Sequence, residues 1–485
     1  MKKTLLASLI AVACGNAYAI DPFIPLNSSN APATLLTTSQ DTNPFVLAPG
    51  WTATKITDRN TLFANFGAGA GGEFQASFGN WDMVDVSRNG RYAFVPFEVT
   101  GGAGVIRYDR ITQTSTTLLG GNSTGIYDTN PNDGWDPLND DFQRLDPATY
   151  TPAGTLLTGE EEPTGRLFEI MNPSTATGRA DADVRWLSNI PAVHHEGLRF
   201  DSVGRLYFVD ENNSGSIYRM TPNVSGDYAA GKVEVLADVD GLLNAAQNWN
   251  SGANQAAGAR TGAAQWIEIV DVNGNALTAA NPFDFGSAGG RAAADEVGGT
   301  PFGRPEDAVV GTLFDNEILY FAATSENGVY GINLATNEVF EAVMAGVTTD
   351  ASTGLPVPVG CNSTYGMCSP DNLELTYGPN GEIQLFVIED QNPGDIWMAT
   401  DSDFDGVMDT MALFASLGPF GSEPTGLRVD PLTGGFLVNV QHPGDGNDAL
   451  WLLQQSPAPV PLPAAAWLLG PAVFGLVGRR RRKAG

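Results

Sequence analysis

The chain has 485 residues, with 55 acidic side chains against 25 basic ones and a formal net charge of −30. That balance argues against nucleic acid as a partner, whose binding depends on Lys and Arg neutralising phosphates, and suits a protein that gathers cations. The length exceeds one ordinary compact core, so a series of repeated units is expected.

Residues 1–19 read as a signal peptide: Lys2 and Lys3, an apolar run, then Ala17-Tyr18-Ala19 as a cleavage site. No twin-Arg pair is present, so export through the general secretory route is expected, with any metal acquired afterwards. Residues 20–70 are a lead-in, expected to supply a strand that completes the last repeat. The repeats themselves fill 71–458.

Six segments share one pattern: 81–98, 154–170, 194–220, 305–333, 371–399 and 423–453. Each holds a β-rich run, a Gly/Asn/Asp turn, a second run, a polar loop and a third run. Units of this size, each with three or four strands, predict a six-bladed β-propeller, an all-β fold with inserted loops. The Ala-, Asn- and Gly-rich stretch 241–290 is expected to be an insertion between the third and fourth blades.

Propeller topology gives the acids a common address. The first strand of a blade lines the central channel and the second returns antiparallel to it. The start of one and the end of the other therefore share a channel mouth. Glu196, Glu306, Asp371 and Glu423 lead first strands; Glu98, Glu160, Asp210, Glu326, Asp390 and His442 follow second strands. Crowded carboxylates repel one another, and a hard, oxygen-seeking cation such as Ca²⁺ relieves that cost.

Two further features lie near the end of the chain. The segment DSDFDGVMD has the spacing of a shorter, dockerin-like calcium loop. Asp401, Asp403, Asp405 and Asp409 would offer side-chain oxygens, and Val407 its carbonyl. Cys361 and Cys368 are the two cysteines outside the signal peptide, and in an oxidising compartment they are expected to pair.

Residues 459–485 read as a tail, with a V-P-L-P-A segment, an apolar run and a basic cluster at 479–483. The tail resembles the PEP-CTERM sorting signal, which implies a temporary membrane anchor and delivery to the cell surface; a permanent anchor is the alternative. Loss of both terminal segments removes seven positive charges and no acids, moving the net charge from −30 to −37.

The segments HHEG (194–197), RAAADEVGGTPFGRPED (291–307), SPDNLEL (369–375) and GPFGSEPTGLRVDPLTGGFLVNVQHPGD (418–445) stand in order along the repeats. Together they resemble the PhoX-type alkaline phosphatases. The resemblance implies a secreted or surface phosphatase that hydrolyses phosphomonoesters with calcium and, in that family, iron. It implies Glu196 and Glu306 as metal ligands and catalytic residues, with Arg304 holding the substrate phosphate. It places Asp371, Asn372 and Glu423 at the same mouth, beside Glu98 and Glu160.

The departures concern iron. A family Cys-Glu-Glu segment reads Gly159-Glu160-Glu161 here, and no Cys stands between residues 120 and 150. A thiolate ligand therefore has no candidate, which leaves an all-calcium site open. Two other readings compete with the phosphatase: a non-catalytic calcium-binding propeller of the extracellular matrix, and a lactonase-like hydrolase. The expected partners are phosphorylated small molecules, with the chain itself a monomer.

Overall fold

The computed structural model describes residues 23–29, 44–66, 79–239, 247–255, 260–361, 365–391, 394–418 and 421–456. The expected signal peptide (1–19) and sorting tail (459–485) lie outside the described residues. Among the described residues, no helix is long and apolar enough to cross a membrane.

Two strands, β1 (Phe45–Leu47) and β2 (Trp51–Asp58), precede the short helix α1 (Arg59–Phe66). There follow β3 (Asp85–Val86), β4 (Tyr92–Pro96), β5 (Gly104–Asp109) and β6 (Thr114–Gly120). Next come β7 (Leu145–Tyr150), β8 (Leu156–Glu160), β9 (Leu167–Ile170) and β10 (Val184–Trp186). The middle of the chain holds β11 (His195–Phe200), β12 (Leu206–Asp210), β13 (Ile217–Val224) and β14 (Asp227–Asp238). The one-turn helix α2 (Gly252–Gln255), β15 (Gly262–Val270) and α3 (Gly289–Val297) intervene. Then come β16 (Pro305–Leu313), β17 (Asn316–Ala323), β18 (Gly328–Asn333), β19 (Glu338–Met344) and the short β20 (Thr349–Asp350). The chain continues with β21 (Pro370–Tyr377), β22 (Ile383–Glu389), β23 (Asp395–Asp401) and β24 (Thr410–Leu417). It ends with β25 (Glu423–Val429), β26 (Phe436–Gln441) and β27 (Ala449–Gln455).

Short polar turns make these strands antiparallel meanders. At Asn89-Gly90, Gly90 takes φ +68 and donates its N–H to the Ser87 carbonyl at 2.7 Å, closing the turn between β3 and β4. The strands form five sheets, an all-β propeller-like architecture. Three of the sheets have four strands each. In the nine-stranded sheet, β15 pairs along β14 and catches β19 at Gly262 and Ala263, fusing two meanders. The predicted insertion thus contributes a bridging strand. In another sheet β2 pairs along β27, Trp51 facing Gln455 and Asp58 facing Ala449, so the N-terminal strand sits in one sheet with the last three.

The innermost strands are tied in a circuit. Tyr150 N–H donates to Asp85 at 2.6 Å, Thr149 Oγ1 to the Leu198 carbonyl at 2.9 Å, and Arg199 to Asp307 at 2.8 Å. Leu373 N–H also reaches Asp307, Gly426 N–H donates to Asn372 Oδ1, and Arg428 returns to Asp85 at 2.8 Å. Apolar side chains fill the spaces between neighbouring sheets. Phe386 and Phe436, for example, meet across one such space with ring centroids 4.5 Å apart, and Trp51 packs edge-on against Phe414 there. Burial of this kind stabilises each interface, and it leaves the inner strand ends free to carry polar groups.

Candidate functional site

Four inner strands change register at the same level. The shifts fall between Leu145 and Ala148, His195 and Leu198, Pro305 and Ala308, and Pro370 and Leu373. Such bulges re-aim side chains at a rim. The residues within them include Asp146, Glu196, Glu306 and Asp371. Glu196, Glu306 and Asp371 each bring a carboxylate oxygen within 4.8 Å of the other two. Glu196 is 4% exposed and Glu306 is 3% exposed, so water does little to separate their charges.

A second set of acids lies one or two residues past four of the second strands. Glu98, Glu161, Glu211 and Asp390 each donate a backbone N–H to the carbonyl of the residue leading an inner strand: Asn80, Arg144, His194 and Ser369, at 2.8–3.0 Å. Asn80, Arg144, Ser369 and the equivalent Arg304 all have positive φ, between 39° and 57°. Left-handed backbone at non-glycine residues is a strained conformation that tends to gather at functional sites.

Protonation reports the crowding. Burial lifts Glu196 well above the usual carboxylate range, and Asp146, Glu306 and Asp371 add repulsion. Glu306, Asp371, Glu161, Asp82 and Glu423 move the same way, burial first and neighbouring acids second. Asp146 is pushed up to about 7, mainly by burial. Glu211 is the exception. Burial opposes its charge, but His194 and Arg304 outweigh that and hold it at about 2.

Arg304 spans the two sets of acids. Its Nε donates to Glu211 at 2.8 Å, and its Nη2 lies 2.6 Å from Glu211 and 3.1 Å from Glu306. Its Nη1 lies 3.7 Å from Asp390 Oδ2, and its side chain stays 34% exposed at the mouth. The charge of Glu306 is the main influence raising its pKa further.

The structure thus gathers Glu196, Glu306, Asp371 and Arg304. Glu98 accepts from Gln441 Nε2 at 3.0 Å, and Glu423 lies 3.6 Å from His442 Nε2. Their mutual charges link both to Asp82. Asn372 donates to Asp371, but its Oδ1 is used by the Gly426 N–H, so its main role is to tie β21 to β25.

Glu160 is a correction. Arg166 grips it in a fully buried bidentate pair at 2.7 Å, and Tyr127 Oη and Gln143 N–H take up its remaining lone pairs. The mouth residue is Glu161. Asp210 is likewise held by Arg291 at 2.6 and 2.7 Å, and Glu326 by Arg260. Side chains alternate along a strand, so an acid ending the second strand points into the blade and its successor points into the mouth. Glu160/Glu161, Asp210/Glu211 and Glu389/Asp390 all obey that rule. It was the signal available for Glu161 and Glu211; Asp82 and Asp146 carried none beyond their acidity.

Elsewhere, Asp401, Asp403 and Asp405 converge within 4.8 Å at the turn between β23 and β24. Asp409 instead accepts from Ser402 N–H at 2.8 Å, and Val407 donates its N–H to Asp405. Cys361 and Cys368 form a disulfide. His195 is fully buried against Phe208, and burial lowers its pKa to about 3, so it is a neutral packing residue.

Buried, mutually repelling carboxylates fit hard cations held by oxygen. They do not fit thiolate-held iron. The two cysteines among the described residues are tied together, and a side chain at Gly159 would come within 2.7 Å of His195 Cβ.

An acid-lined mouth crossed by Arg304 defines the general class: a propeller-like protein with acidic groups able to hold a cation at the end of its inner strands. The family description "Alkaline phosphatase PhoX" matches residues 165–444, more than half of the chain. The chain belongs to the PhoX family of alkaline phosphatases. Among solved structures, Pseudomonas fluorescens PhoX in complex with vanadate, a transition state analogue, aligns with a TM-score of 0.55 at 14% identity. The alignment covers 90% of this chain and 98% of that one, and it supports the shared fold. A luciferin-regenerating enzyme aligns at TM-score 0.39 and 10% identity, over 84% of this chain and 95% of that one. A streptogramin B lyase aligns at 0.36 and 9%, over 83% and 97%. No curated protein matches the sequence.

Proposed function

We propose that this chain is an exported phosphomonoesterase that works at the acidic mouth of a six-bladed propeller with bound calcium. The observation that carries the reading is Arg304. It is the guanidinium that bridges Glu211, Glu306 and Asp390 at the mouth of a chain in a phosphatase family, and it stays a third exposed. Counting the nine-stranded sheet as two blades joined by β15 gives six inner strands, β3, β7, β11, β16, β21 and β25.

Glu196, Glu306 and Asp371 would hold calcium, with Asp82, Asp146 and Glu423 as neighbours that lose their mutual repulsion when it binds. Bound calcium would neutralise charge on the phosphate oxygens and lower the pKa of a coordinated water. The chain's own residues do the rest. Arg304 binds two phosphate oxygens side by side, as a planar fork of N–H donors can. Glu211 and Glu306 orient that fork. The left-handed residues that open the inner strands fix the distance between arginine and acids.

The signal peptide, the sorting tail and the disulfide support a surface location, because disulfides persist in oxidising compartments. The test is hydrolysis of p-nitrophenyl phosphate with calcium alone and with calcium plus iron, beside a Glu196→Ala/Glu306→Ala control. Calcium-dependent turnover that disappears in the control supports the reading. Calcium binding without turnover under either condition would replace it with the matrix-propeller reading, and turnover of lactones alone would favour the lactonase.

A further inference from the structure

Arg304 reaches the mouth from a backbone that resists its own conformation. Its φ is +54, a left-handed value that a non-glycine residue holds only when its surroundings fix it. Three backbone hydrogen bonds do part of that work. Arg304 N–H donates to the Asn212 carbonyl at 2.9 Å, and the Arg304 and Gly303 carbonyls accept from Thr324 and Ser325 N–H at 3.0 Å each. The fourth backbone group, Gly303 N–H, donates instead to a side chain, Glu326 Oε1, at 2.7 Å.

Glu326 is itself gripped from the inserted stretch. Arg260 pairs with both of its oxygens, and Tyr330 Oη donates to Glu326 Oε2 at 2.8 Å. The Arg260 guanidinium lies over the Trp249 ring, 4.0 Å from its centroid. The fit is close, since a Cβ at Gly303 would lie 2.8 Å from the Trp249 carbonyl oxygen and 3.1 Å from Glu326 Cγ. The Arg260 and Glu326 side chains are each 4% exposed. A buried ion pair of this kind adds little stability over a well-packed apolar pair of the same size. What an apolar pair could not supply is the acceptor for Gly303 N–H. Positioning therefore accounts for the pair better than stability does.

We infer that Glu326, held by Arg260 and Tyr330, is the positioning residue that sets Arg304 for phosphate. The inference rests on the phosphatase reading of the mouth. Glu326 acts through Gly303 N–H, on the backbone from which the Arg304 side chain extends. Arg260 comes from the segment leading into β15, so the inserted stretch has a part in the chemistry as well as in the sheet.

Two double variants that both discharge the pair separate positioning from support. Arg260→Met/Glu326→Gln keeps a carbonyl acceptor for Gly303, with Tyr330 Oη able to accept from the amide. Arg260→Met/Glu326→Leu removes the acceptor at similar volume. On the purified protein with calcium, the readouts are kcat and KM for p-nitrophenyl phosphate, inhibition by inorganic phosphate, urea unfolding, and hydrogen exchange across Thr300–Glu306. In the Leu variant kcat/KM should fall about 10- to 100-fold, the range expected when a binding group is misplaced by about 1 Å. Inhibition by phosphate should weaken with it, and exchange at Gly303 should quicken. The Gln variant should restore kcat/KM to within about threefold of the wild type, because the one hydrogen bond is kept. Both should unfold at similar urea concentrations. Equal kcat/KM in the two folded variants overturns the inference, as does a loss in the Leu variant that merely follows its stability. If the Leu variant does not fold, Tyr330→Phe takes its place, removing one hydrogen bond from Glu326. A loss of about threefold or more in kcat/KM is then expected, and no loss overturns the inference. Failure of the phosphatase reading looks different: the wild type itself shows no turnover, and the inference falls with it.

Discussion

Arg304 and Arg166 are both arginines held by buried glutamates, and their surroundings give them opposite uses. Arg304 stays 34% exposed and faces the mouth, whereas Arg166 is fully buried against Glu160. Arg304→Lys keeps the charge but loses the fork, so kcat/KM for p-nitrophenyl phosphate should fall about 10- to 100-fold. Calcium affinity should change little, because the carboxylates remain; an unaltered kcat/KM would remove Arg304 from phosphate binding. Arg166→Met leaves the Glu160 carboxylate buried and unpaired, a change expected to cost about 3–5 kcal/mol in urea unfolding. Stability close to wild type would mean that Glu160 finds another partner or takes up a proton.

At the scale of elements, the bulges decide where the acids go. Gly197 sits in the bulge of β11, where an added Cβ would lie 2.7 Å from Asp307 Cα and 2.6 Å from Ala308 N. Gly197→Ala should therefore push β11 from β16, cost about 1–3 kcal/mol and weaken calcium binding at Glu196. Unfolding and calcium titration of one preparation would show both, and an unchanged calcium affinity would mean that the bulge does not position Glu196. Much of this architecture was legible in the sequence. Repeated turn signals marked the meanders, and HHEG and GRPED marked two inner strands at the mouth. Strand partners across blades were not legible: β15 fuses two meanders through pairs that no local pattern encodes. Nor did the acidic segments separate Glu160 from Glu161. Both are acids at a strand end, and the choice between them depends on where the strand stops and on Arg166, which lies beyond the turn. Asp82 and Asp146 were missed for the same reason, since their significance comes from strands distant in sequence converging on one ring.

At the scale of the whole molecule, cation binding at the mouth should be coupled to stability. Without a cation, the native state holds its acids protonated at pH values where the unfolded chain has released them. Asp146, at about 7 against an ordinary 3.8, sets the window. A carboxyl group whose native pKa is raised binds more protons folded than unfolded, so stability falls as pH rises from about 4 to about 7. Glu211 has the opposite sign, but its loss comes only as pH falls toward 2, outside that window. Calcium bound there would displace the protons and remove the repulsion, so its binding should strengthen with pH. Melting temperatures with calcium and with a chelator should be close at about pH 5 and separate by several degrees at about pH 8, the chelated sample being the one that drops. Scanning fluorimetry across that range gives the answer directly. A calcium effect of the same size at both ends would mean that the ring of acids does not bind the ion, and that its stabilisation arises elsewhere, with the loop at Asp401, Asp403 and Asp405 the first place to look.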